Sequence, residues 1–269
     1  MTRVLCLLLV LSFSAAASPE ASLENIYSRL YDFDFAQSLQ LARAYAQQNA
    51  SDPMGHASTA AVCLFSEMNR LQVFNKDMLK EEKVSGDQAK KIAEDVKREF
   101  QSALDHTKQS AEAALKKNDH DTNALLALVI ATGAERDFAA LVEKRLKDSY
   151  YAAKASQEYA LRLQSVDASV KDAWFTRGFS EYLVGSVPFV IRWLMKIEQV
   201  EGDRKKGIEY MEICAKSGHY LRPFAQMMLS TIYQKEKRLK ESRQIMEQFA
   251  AEHPGNKVVR LELAKLPKS

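Results

Sequence analysis

Residues 223–256 read PFAQMMLSTIYQKEKRLKESRQIMEQFAAEHPGN, and no other stretch restricts the possible folds so tightly. Two apolar-periodic runs, each of about a dozen residues, flank a charged turn, which is the pattern of two amphipathic helices. Leu229, Ser230 and Tyr233 share one side of the first run. Leu239, Ser242, Met246 and Phe249 share one side of the second, at three- and four-residue steps. Ser230 and Ser242 are small enough to let two backbones approach, while Leu229, Tyr233, Met246 and Phe249 supply bulk around them. Pro254 has no amide hydrogen and restricts the residue before it, so the second helix must stop there.

The same order recurs at the other end of the chain. Leu23, Ile26, Tyr27 and Leu30 mark a first helix over residues 22–32. Asp34-Phe35-Ala36 opens a second that carries Leu39, Ala42 and Ala46 to Asn49, and Asp52-Pro53 closes the pair. Asp137-Phe138-Ala139 repeats that opening and predicts another unit start. Between them the spacing predicts helices over 57–71, 89–117, 122–134 and 149–163. Later helices are expected over 170–183, 205–216 and 258–266. Gly207 occupies the close-approach position that Ser242 fills later. Arg177 and Glu181, one helical turn apart, are expected to pair.

The 223–256 spacing resembles a tetratricopeptide repeat, a helix–turn–helix unit of about 34 residues. Ser230, Ser242 and Pro254 stand at its small-residue and proline positions, and Tyr233 and Phe249 at its aromatic ones. From Ala173 onward, Gly185, Pro188 and Gly202-Asp203-Arg204 before Gly207 also resemble a segment of exported bacterial proteins of this class. Arg177 departs from the pattern, where an apolar residue is usual. The resemblance implies an all-α fold: a right-handed α-α superhelix of about five helix pairs filling residues 18–269. It also implies a scaffold that binds a protein or peptide through its concave face.

Composition agrees with an all-helical chain, since only 9 Gly and 6 Pro occur in 269 residues. The net charge of +3 comes from 38 basic and 35 acidic residues interspersed along the sequence, which gives no basic stripe for nucleic acid. Residues 1–17 have the layout of a secretory signal. Arg3 precedes an apolar run over 4–13, and Ala15-Ala16-Ala17 form a small-residue cleavage site. Export to the periplasm or beyond the cell follows, with cleavage near Ala17. Cys63 and Cys214 sit in apolar helical contexts and are expected to be free and buried.

No phosphate loop, nucleophile elbow or zinc motif occurs, so neither an enzyme nor a cofactor is expected. The carboxylates flanking His120 are adjacent in sequence and do not converge on one ion, and His56, His106, His219 and His253 read as equally isolated, so no metal site is expected. On the concave side the repeat pattern sets Phe175, Phe179 and Tyr182 on one helix. On another it sets Met227, Thr231, Gln234 and Lys235. These seven residues are the candidate partner-binding groove. Two other outcomes compete with an open groove. The apolar segment 189–200 either covers the aromatics as core or docks on a membrane surface, with Arg192 and Lys196 toward headgroups.

Overall fold

The computed structural model describes residues 20–73, 92–186 and 202–267. The signal-like residues 1–17 and the apolar segment 189–200 lie outside them. Among the described residues there are eleven α-helices and no strand: α1 (Leu23–Tyr31), α2 (Phe35–Gln48), α3 (Pro53–Arg70), α4 (Glu94–Lys117), α5 (Thr122–Asp137), α6 (Leu146–Val166), α7 (Ala173–Ser186), α8 (Arg204–Ser217), α9 (Arg222–Lys235), α10 (Leu239–Glu252) and α11 (Lys257–Lys265). A π-helical segment, Phe138–Val142, follows α5 without a break. Sequence neighbours pack together as α1/α2, α3/α4, α5/α6, α7/α8 and α9/α10, and α11 lies on α10.

The end pairs share the same construction. Ser38 Oγ on α2 donates to Ile26 O on α1 at 2.8 Å, and Ser242 Oγ on α10 donates to Ser230 O on α9 at 3.0 Å, each across twelve residues. Both turns pass through one non-glycine residue in the left-handed region, Phe33 at φ 63° and Lys237 at φ 60°. Both close with a six-to-one backbone bond, Asp34 N to Arg29 O and Arg238 N to Tyr233 O. That is a Schellman ending, which satisfies the last carbonyls of the first helix and sends the chain back along it. Ser156 Oγ makes the equivalent bond to Val129 O in α5/α6, at 3.4 Å. The hydrogen-bonded small-residue seam is therefore a repeated device.

In α7/α8 glycine takes that place. A Cβ on Gly207 would stand 2.5 Å from Tyr182 N and 2.7 Å from Gly178 O, and these nearest atoms are backbone of α7 rather than a side chain that could yield. Gly207→Ala is accordingly expected to lower stability by about 1–3 kcal/mol despite alanine's better helix propensity. Gly133, inside α5, is the control, because its nearest neighbour would be Ser156 Oγ at an ordinary 3.7 Å. Gly133→Ala is expected to raise stability by about 0.5–1 kcal/mol. Urea unfolding of both variants checks the pair of signs.

Local physics moves several expected boundaries. Asp52-Pro53 starts a helix: the Asp52 carboxylate accepts from Met54 N, and Pro53 takes the first turn, where no amide is needed. The helix expected from residue 57 thus begins four residues earlier. Asp137 does not open a unit as Asp34 does. Asp34 Oδ1 caps Gln37 N, whereas the Asp137 carboxylate is held by Arg136 and the helix runs on into the π segment. Arg177 and Glu181 are not partners. Arg177 reaches Gln164 and lies over the Tyr210 ring, and Glu181 accepts from Asp203 N. On α11, Val259 is buried while Leu261 is 64 % exposed. Cys63 and Cys214 are free and buried, as expected. Burial pushes the Cys63 thiol up to about 12 and raises that of Cys214 as well.

Candidate functional site

The first helices of the pairs do not leave an open aromatic face. A continuous line of rings joins them: Tyr31 to Phe65 at 5.7 Å, Phe65 to Phe224 at 5.0 Å, Phe224 to Phe175 at 4.9 Å and Phe175 to Phe179 at 5.7 Å. This links α1, α3, α9 and α7 through one core. Phe175, Phe179 and Tyr182 are buried. The expectation that these three line an accessible groove is corrected to interior packing, because burying apolar area outweighs leaving three rings in water. Of the other groove candidates, Met227, Thr231 and Gln234 are half-buried along α9 and Lys235 is exposed. Thr231 Oγ1 donates back to Met227 O, and Gln234 Nε2 donates to Ser230 Oγ.

The first described helix also meets the turn between α10 and α11. Tyr31 Oη donates to Tyr220 O, Asn256 Nδ2 donates to Tyr31 O, and Gly255 N donates to Asp32 Oδ1 at 3.1 Å. His253 sits in this junction, between the Phe249 and Tyr31 rings, and neither of its buried ring nitrogens has a hydrogen-bond partner. Asp32 Oδ1 is 4.0 Å from its Nδ1. Burial lowers its pKa, against the upward pull of Asp32 and Glu252. A base whose folded pKa is depressed binds protons more readily when unfolded. Stability from this site is therefore complete above the ordinary imidazole value of about 6.5 and is lost as pH falls below it toward the folded value. Between pH 7.5 and 5, thermal unfolding of the wild type should shift down further than that of His253→Phe.

The described surface opens elsewhere, at the π segment. A cleft of about 400 Å³ runs between α4, the π segment and the start of α6, with Phe100, Leu104 and Phe138 at its floor. Glu143 N donates to Phe138 O and Arg145 N to Ala139 O, so the widened turn and Lys144, in the left-handed region at φ 61°, set the rim. Lys97 and Arg145 both pair with Glu143, and Arg145 also with Asp148. The first two turns of α6 carry Leu146, Tyr150 and Tyr151, which are 69 %, 45 % and 59 % exposed, and Tyr151 lines the cleft. Packing normally hides such side chains, and π segments recur at functional sites. The sequence reading missed this face. The helix expected over 149–163 runs from Leu146 to Val166, and its periodicity does not say which of its side chains another helix covers.

A second feature escaped it because the residues are fifty positions apart. His56 on α3 and His106 on α4 are not isolated: their rings lie with centroids 4.9 Å apart, tilted by 28°. Among the described residues no group of three or more His, Cys, Asp or Glu side chains gathers in a way that would hold a metal. No described helix is long and apolar enough to cross a membrane. Comparison with protein-family models and with curated proteins finds no match.

Proposed function

We propose that this chain is an exported, non-enzymatic scaffold of tetratricopeptide-like hairpins, wound as a right-handed superhelix, that binds a protein or peptide partner. The observation that carries the reading is the set of large exposed side chains Leu146, Tyr150 and Tyr151 on the first two turns of α6, beside a cleft that Tyr151 lines. Tyrosine supplies contact area with few rotors to freeze and a hydroxyl for a hydrogen bond, which is why binding energy concentrates on such residues. The mixed charges at the rim, Lys97, Glu143, Arg145 and Asp148, suit the polar border of a protein contact. The repeated hairpin seams support the repeat architecture, and the layout of residues 1–17 supports export.

Many acidic side chains that a catalytic reading would need are occupied structurally. Asp34, Asp52, Asp121 and Asp203 cap helices, and Glu67 is paired with Arg70 and accepts from Ala93 N. The test is affinity capture from the exported fraction with the wild type and with Tyr150→Ala/Tyr151→Ala. Both residues are exposed, so the variant should keep its melting temperature while losing the co-purifying protein by about tenfold or more, the effect of removing a binding hot spot. Equal capture by both proteins removes this face from consideration, and no capture by the wild type removes the scaffold reading.

A further inference from the structure

The His56–His106 contact has the makings of a metal site. His106 Nδ1 is 2.7 Å from Ser102 O and 3.4 Å from Ser102 Oγ. A carbonyl oxygen only accepts, so Nδ1 carries the proton and Nε2 keeps its lone pair. Metal-binding imidazoles are oriented in this way, with one nitrogen tied to backbone and the other left free. His56 is half-buried and makes no hydrogen bond among the described residues, whereas His106 is exposed. Both rings open on one cleft of about 420 Å³ that also includes Gln109, Asn118 and Asp121. Asp121 is already engaged, with Oδ1 capping Ala124 N at the start of α5.

The spacing is what two ligands of one ion require. A coordinated imidazole nitrogen lies about 2.0–2.1 Å from the metal, which puts the ring centre about 3.1 Å from it. Two such rings have centres about 4.4 Å apart at a right angle and about 5.1 Å apart at the tetrahedral angle. The observed 4.9 Å falls between these limits. The rings are tilted by 28° to one another and His106 is held by Ser102 O, so sharing one ion requires the His56 ring, which no hydrogen bond among the described residues holds, to turn about χ2, a broad torsion.

We propose that His56 and His106 form a two-imidazole site for a divalent transition-metal ion, Cu²⁺ more tightly than Zn²⁺, with water completing the coordination. The preference follows the order of stability for nitrogen ligands. With two protein ligands the ion stays accessible and exchangeable, unlike one in a closed four-ligand structural site. It would clamp α3 to α4 at a point where their contact is otherwise partly exposed. This site is independent of the partner-binding face at α6.

Metal-free full-length protein titrated with Cu²⁺ should bind one equivalent, and the electron paramagnetic resonance spectrum should show coupling to two imidazole nitrogens. His56→Asn and His106→Asn should each weaken binding by about tenfold or more, at least the loss seen when a ligand's surroundings are disturbed. His120→Asn should leave it unchanged. Zn²⁺ should raise the melting temperature of the wild type and not that of His106→Asn. Because His106 is exposed, its variant keeps the fold and decides the matter even if the His56 variant does not. Unchanged Cu²⁺ binding in His106→Asn, or a spectrum without two imidazole nitrogens, overturns the proposal.

Discussion

Phe175→Ala should lower the free energy of unfolding by about 3–5 kcal/mol, the usual cost of removing a buried phenylalanine ring. Phe175 is 2 % exposed, lies nearly parallel to Phe179 and tilts against Phe224, which in turn meets Phe65 from α3. Removing the ring opens a void at the point where α7, α9 and α3 come together, and fixed helices can collapse into it only partly. Set against the total stability usual for a single domain, about 5–15 kcal/mol, the loss brings the protein close to unfolding. Phe175→Leu, which keeps most of the volume, should cost about 1.5 kcal/mol or less. Urea titration of both variants measures this. A Phe175→Ala protein as stable as the wild type would mean that the ring is not interior, and would return it to the list of groove residues.

Asp172→Ala is expected to cost about 3 kcal/mol through a different mechanism. The Asp172 carboxylate is buried, and it accepts from His219 N at 2.9 Å and from Leu221 N at 2.6 Å. Those amides belong to the link between α8 and α9, and α9 has no side-chain cap of its own. An acid at the start of α7 thus serves the start of a helix some fifty residues later, where negative charge also suits the helix dipole. Alanine leaves two amides without an acceptor, each worth about 1–3 kcal/mol when buried. Asp172→Asn keeps one carbonyl oxygen and should lose about half as much. Amide exchange at His219 and Leu221 should accelerate in both variants, and more in the alanine one. Unchanged exchange would show that the link is held by other contacts.

The helices themselves were legible because their signals are local. Ser22 and Asp34 cap the helices they precede, Pro254 stops α10, and the Ser230–Ser242 approach follows from two small residues at matching heights on paired helices. The candidate site was not legible in the same way. Phe175, Phe179 and Tyr182 have the spacing of a groove lining, and equally that of a core face. Helical periodicity says which residues share a side and not what stands opposite them. Here Phe224 and Arg136 stand opposite, the latter 4.8 Å from the Phe179 ring centre.

The sequence by itself therefore determined an all-helical chain of paired hairpins, with Ser230, Ser242 and Gly207 at their close approaches, because caps, breakers and 3.6-residue periodicity act within a few turns. Only the tertiary structure decided that the inner aromatics close into one core, that α1 joins the α10–α11 turn, and that the exposed tyrosines face outward on α6. It also decided that His56 meets His106. Each of these depends on helices far apart in sequence coming together, and long-range packing energy is shared among many weak contacts that no single stretch of residues encodes.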